Sequence, residues 1–116
     1  MQTDEQFRTE ILVPRENVVV LALEGAVDIH AAPEFKALLL ASVEQGTQQV
    51  IVDLTKVTFL DSSGLGVLVS GSKQAQKGAL AIVCDDEPMT NVFAMVGVDR
   101  IFTVFASRAA ALAGAN

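Results

Sequence analysis

Two adjacent serines offer the clearest chemistry in this chain. Asp61-Ser62-Ser63-Gly64-Leu65-Gly66 stands between a strand-like run, Val50-Ile51-Val52-Asp53-Leu54, and a segment of helical spacing. A helix start offers unpaired backbone N–H groups and the positive end of the helix dipole. A phosphate on Ser63 would sit in that field without unfolding the helix. Gly64 and Gly66 fall in the first turn, where each costs up to about 1 kcal/mol against Ala. Glycine there lets another protein's active site come close to the hydroxyl. The residues alone leave two readings open. Either the segment is a modification site, or one of Asp61, Ser62 and Ser63 is only an N-cap and the glycines allow tight packing on the sheet.

The other reactive side chains point to less. Asp53 ends a buried run, as the phospho-acceptor of response-regulator receivers does. That chemistry also wants an acidic pair after the first strand and a lysine after the last. Here Asp28 stands alone and Ala106-Ser107-Arg108 follows the last strand, so Asp53 reads as a turn former. Asp85-Asp86-Glu87 could hold a metal, but acids at a helix start explain it better. His30 and Cys84 are the only histidine and cysteine. They exclude a disulfide within the chain and a Cys/His zinc site. His30 reads as an exposed loop residue and Cys84 as a small buried hydrophobe. Gly64-Leu65-Gly66 lacks the third glycine of a dinucleotide fingerprint, and there is no P-loop. No nucleophile elbow or nearby base would activate Ser63. The expectation is a protein without catalytic residues, metal or cofactor. A small nucleotide-binding enzyme is a weaker alternative, since no phosphate-binding lysine or catalytic base supports it.

The elements that must position the serines follow from periodicity and punctuation. Phe7 to Val13 alternates and stops at Pro14, as an edge strand does. Arg15-Glu16-Asn17 suits a hairpin loop, and Asn17 to Leu23 is a second strand. Ala32 to Gln45 is predicted helical, with Pro33 in its first turn, Phe35, Leu38, Leu39 and Val43 on one face, and Gly46 as C-cap. Val50 to Leu54 reads as a strand buried on both faces. The next helix runs from Ser63 to Lys77 with Leu65, Leu68, Val69 and Ser72 inward, Lys73 and Lys77 at its negative end, and Gly78 as the stop. Ala79 to Cys84 is a strand. Asp85-Asp86-Glu87-Pro88 opens a helix with Met89, Val92, Phe93 and Val96 on its core face and Gly97 at its end. Ile101 to Phe105 is a last strand, and Ser107 caps a helix over Arg108 to Ala113 that Gly114 ends. The order ββαβαβαβα implies an α/β domain with a mixed, mainly parallel sheet.

Size and charge narrow the partners. The 116 residues fit one domain, 1–116. Hydrophobic residues make up 51% and aromatics only 5%, so the core must be aliphatic. The net charge is −6, with 8 basic side chains scattered among 14 acidic ones. That argues against nucleic acid, which needs a positive stripe, and against an anionic membrane surface. Met1 to Glu10 has no apolar h-region, and no apolar run approaches the roughly 20 residues of a membrane span. The expected location is the cytoplasm.

Asp-Ser-Ser-Gly-Leu-Gly-Val-Leu, following Val-Ile-Val-Asp-Leu, resembles the signature of the STAS-domain anti-sigma factor antagonists. Leu23-Glu24-Gly25-Ala26-Val27-Asp28 resembles that family's first conserved turn. Val96-Gly97-Val98-Asp99-Arg100-Ile101-Phe102 resembles the end of its third helix. The resemblance spans about residues 17–105 and implies a STAS-like fold. It also implies a function. The unmodified antagonist binds an anti-sigma factor that is an ATP-binding serine kinase, and so frees a sigma factor. Phosphorylation of the residue matching Ser63, with Ser62 as the alternative, ends the complex, and a serine phosphatase resets it. Asp28 matches an acidic position beside that serine, and Asp61, Ser62, Gly64 and Leu65 complete the implied partner surface. A scaffold or regulatory subunit of a stress-signalling or lipid-transport complex is the alternative within the family. One difference stands out: the family's hydroxyl before the first helix is replaced by His30-Ala31-Ala32-Pro33, so a side-chain cap is expected to be missing.

Overall fold

In a computed structural model that describes residues 6–44, 49–75 and 79–114, five strands form one sheet in the order β1-β2-β3-β4-β5. The strands are β1 (Arg8–Arg15), β2 (Val18–Val27), β3 (Gln49–Leu60), β4 (Leu80–Val83) and β5 (Thr103–Phe105). Only β1 and β2 run antiparallel; the other neighbours are parallel. The hairpin joining β1 to β2 turns at Asn17, whose φ of 66° is a left-handed conformation that Asn tolerates. The parallel pairs are linked through α1 (Ala32–Glu44), α2 (Ser62–Gln74) and α3 (Glu87–Val96), the last followed by a short 3-10 turn, Val98–Arg100. Every crossover steps the same way across the sheet, so a common handedness puts all three helices on one face. A last helix, α4 (Arg108–Gly114), is left for the other.

The two faces divide the core. On the three-helix face Leu21, Leu23, Val50, Val52 and Ile82 meet Phe35, Leu39, Leu68 and Phe93. Phe93 sets its edge against Phe102 with ring centroids 5.9 Å apart, a favoured aromatic geometry. On the opposite face Ala111 of α4 packs against Val18, Val20, Ile51, Ala81 and Val83. The alternation of neighbours such as Val20 and Leu21 between these clusters is the period-two pleat of a strand. Ser107 caps α4 as expected, its Oγ accepting from the Ala110 N–H at 3.1 Å.

Several elements differ from the sequence reading. β2 runs on to Val27 and β3 to Leu60, well past Leu23 and Leu54. Thr55-Lys56-Val57-Thr58 breaks the apolar run that marked β3, yet it stays in register with β2 through two bulges, between Asp53 and Lys56 and between Val57 and Phe59. β5 begins at Thr103, because Val98–Arg100 winds into the 3-10 turn after Gly97, which closes α3 at φ 81°. In α2 the buried residues are Gly64, Val67, Leu68 and Gly71. Leu65, Val69 and Ser72 are only half-buried, because the helix meets its neighbours through its smallest residues. In α3 only Phe93 of the expected core face is buried; Val92 and Val96 are 47% and 56% exposed. Gln45, Gly46, Lys77 and Gly78, expected at helix ends, lie outside the described residues.

Candidate functional site

The extension of β2 and β3 builds the site. Their register pairs Val27 with Leu60, which brings Asp28 and Asp61 side by side at the carboxyl ends of two parallel strands. The Asp61 N–H donates to the Val27 carbonyl at 3.3 Å. Beyond it the chain enters α2 at once.

Asp61 is the N-cap of α2. Its backbone is extended, and its Oδ1 accepts from the N–H groups of Ser63 at 2.9 Å and Gly64 at 3.1 Å. Its carbonyl accepts from the Leu65 N–H at 3.0 Å. The cap is therefore complete without either serine. Ser62 is exposed and Ser63 half-buried, and neither hydroxyl has a hydrogen-bond partner among the described residues. The carboxylate takes the N–H groups of Ser63 and Gly64, so a phosphate on Ser63 would meet a negative charge beside it.

The two glycines separate. Gly64 is buried, and a Cβ there would lie 2.8 Å from Val27 Cγ1 and 2.9 Å from the Val27 carbonyl oxygen. Its identity is set by the close approach of α2 to the end of β2, which removes it from the exposed surface expected for it. Gly66 is exposed, and a Cβ there would meet nothing within 4 Å. Packing does not account for Gly66.

Where a side-chain cap was expected to be missing, Asp28 caps the turn that leads into α1. Its Oδ1 accepts from the His30 N–H at 2.9 Å and the Ala31 N–H at 3.1 Å. Its carbonyl accepts from Ala31 and Ala32. The carboxylate is thus fixed at the mouth of α1, three residues before Ala31, the position just before the helix, and His30 is exposed beside it.

The remaining candidates lie elsewhere. Asp53 is inside β3, not at its end, and is 4% exposed. Its Oδ1 accepts from the Thr55 N–H and hydroxyl at 2.9 and 2.8 Å, the local bond of a turn-forming Asp made at a bulge. Its Oδ2 lies 2.9 Å from both Nε and Nη2 of Arg108. With both oxygens engaged, it offers no open carboxylate for phosphoryl transfer. Asp86 caps α3 by accepting from the Met89 N–H at 3.0 Å, which accounts for an acid at this helix start. Cys84 is buried, and burial pushes its thiol pKa up. No helix among the described residues is long and apolar enough to cross a membrane.

One feature joins expected residues to unexpected ones. Between the end of β3 and α3 lies an open groove of about 460 Å³, into which Ser62 and Leu65 face together with Phe59, Met89, Val92 and Val96. Sequence periodicity put the α3 residues in the core. The signal that separates them is the length of β3, whose overhang carries Phe59 outward.

Comparison with known proteins places this geometry. A family model described as the STAS domain matches residues 11–111. The anti-sigma-B factor antagonist of Bacillus subtilis is 31% identical over 93 residues, which cover 78% of this chain and 84% of that one. Among solved structures, an anti-sigma factor antagonist from Mycobacterium paratuberculosis superposes with a TM-score of 0.88, at 22% identity over 99% of this chain and 98% of that one. The Bacillus cell fate determinant SpoIIAA, solved in its phosphorylated form, superposes with a TM-score of 0.74 at 21% identity, covering 94% and 100% of the two chains.

Proposed function

Because this chain belongs to the STAS domain family, we propose that it is an anti-sigma factor antagonist switched by phosphorylation of Ser63. Unphosphorylated, it binds an anti-sigma factor that is also an ATP-binding serine kinase, and a sigma factor is freed. Phosphate on Ser63 ends that binding, and a serine phosphatase restores it. The chain acts by binding, not by catalysis, and works in the cytoplasm. The observation that carries the reading is a helix start already capped by Asp61, which leaves the Ser63 hydroxyl with no structural duty. The relatives' names support the role, and the phosphorylated form of a structural neighbour supports the modification.

The mechanism is electrostatic. A phosphate adds about −1.5 to −2 charges beside Asp61 and close to Asp28. The kinase's nucleotide brings further negative charge to the same place. Like charges held together across an interface cost several kcal/mol. The fold itself survives, because the modified side chain can turn to water from the first turn of α2. The surface that meets the kinase consists of Asp28, Ser62, Ser63 and Leu65 with the open backbone at Gly66, and Asp61 behind them.

Incubation with the anti-sigma factor kinase of the same organism and ATP, followed by tandem mass spectrometry, tests the site. Phosphate on Ser63 is expected. Phosphate mainly on Ser62, or on neither serine, would refute the assignment. The purified chain alone is expected to release no phosphate from ATP. Hydrolysis that persists through repurification and is lost on substituting Asp28 would overturn the reading as a binding protein.

A further inference from the structure

We infer that the partner meeting Ser63 also seats an apolar side chain flanked by Lys or Arg in the groove between the end of β3 and α3; this rests on the function proposed above. The groove is apolar and open, with Phe59 51%, Val92 47% and Val96 56% exposed. Contiguous exposed apolar surface of this kind marks interaction sites. Position ties it to the switch, since Ser62 and Leu65 form one wall. β4 pairs with β3 only over Val50–Asp53, so among the described residues no strand lies on that side of β3 from Thr55 to Leu60.

Charge selects the occupant. The lining holds two carboxylates, Asp61 and Asp86, and no Lys or Arg. Asp85 and Glu87 are exposed beside Asp86. A base-flanked anchor matches this rim, while an acidic segment is repelled. A second copy of this chain, with its net charge of −6, is the poorer fit. Ser63 is not among the lining residues. The footprint therefore has two adjoining parts that share Asp61, Ser62 and Leu65: the first turn of α2, where the kinase nucleotide approaches Ser63, and the apolar, base-seeking groove. Phosphate acts on the first and leaves the apolar lining of the second unaltered.

Calorimetric titration of the same organism's anti-sigma factor into wild type, Val92→Lys, Val96→Lys and Asp86→Asn tests this, at low and high salt, with a thermal melt of each. Val92 and Val96 are exposed helix positions, and Asn at 86 keeps an oxygen acceptor for the Met89 N–H. Each lysine variant is expected to lose about tenfold or more in affinity with its melt retained, the scale of an interface anchor. If one lysine variant fails to fold, the other carries the test. Asp86→Asn is expected to bind about two- to fivefold more weakly and with a shallower salt dependence. Wild-type affinity in all three variants, with binding still released by phosphate on Ser63, overturns the groove and leaves the proposed function standing. No binding by the unmodified wild type overturns both. Sedimentation velocity adds the last outcome: self-association of wild type that Val92→Lys abolishes means that a second copy covers the groove, which also overturns the inference.

Discussion

The starts of α2 and α3 solve the same problem and then diverge. Each follows the carboxyl end of a parallel strand, and each is capped by an Asp side chain, Asp61 accepting from two backbone N–H groups and Asp86 from one. After its cap α3 continues with Glu87 and Pro88, an acid and a ring that suit a first turn. After its cap α2 continues with Ser62, Ser63, Gly64 and Gly66, which suit it poorly. Since α3 starts on an Asp cap with no serine or glycine in its first turn, the serines and Gly66 are surplus to helix formation. Gly64 is not, because its missing Cβ lets the helix reach Val27. A conspicuous motif is thus part scaffold and part function, and the capped neighbour separates the two.

The largest effect expected from this contrast is on binding. Ser63 phosphorylation should lower affinity for the anti-sigma factor by roughly a hundredfold or more, at about tenfold per 1.4 kcal/mol. Ser63→Asp should lose less, having about one charge and fewer oxygens than phosphate. Ser63→Ala should bind as wild type. Calorimetry on all four forms decides this, and equal affinities would make the serine as structural as Pro88.

The glycines come next. Gly64→Ala forces a methyl against the Val27 carbonyl and should destabilise the fold by about 1–3 kcal/mol, the usual scale of overpacking. Urea unfolding measures it, and an unchanged midpoint would place Gly64 with the surplus residues.

The caps give a smaller and matched effect. Asp61→Ala and Asp86→Ala should each cost about 0.5–2 kcal/mol in the same assay, as lost N-caps do. A much larger loss at Asp61 alone would mean that its bond to Val27 depends on the side chain, and the two starts would no longer be equivalent.

The smallest effect has the opposite sign. Gly66→Ala fills open space and should stabilise the domain by up to about 1 kcal/mol while weakening the kinase complex. Stability and affinity moving apart in the melt and the titration would mark Gly66 as a contact. Both rising together would make it neutral surface.

What the sequence made legible depended on how local the cause was. The order of strands and helices, Ser107 as a cap, Asp86 at a helix start and the exposed His30 all follow from near neighbours. Asp61 was one of three candidate caps, and only geometry chose among them. The far half of β3 was hidden because Lys56 and the bulges interrupt its pattern. Its pairing with β2 is set across the sheet. The capping by Asp28 was not legible because it lies three residues ahead of the position just before α1. Val92 and Val96 fit a core pattern perfectly well on paper. They stay outside because, among the described residues, no helix covers the β3 overhang on that side. The local turn bond of Asp53 was legible, but its pairing with Arg108, 55 positions away, was not.

That last pair has a consequence for how the molecule is made. Arg108 bonds Asp53, and Arg15 donates to the Leu112 carbonyl at 2.7 Å across 97 positions. A nascent chain emerges from its amino end. By the time Phe105 is exposed, the three-helix face has every partner it requires. The opposite face still lacks α4, and the Asp53 carboxylate inside β3 still lacks its guanidinium. One side of the sheet can mature during synthesis. The other stays open to water, and to chaperones, until the final helix arrives.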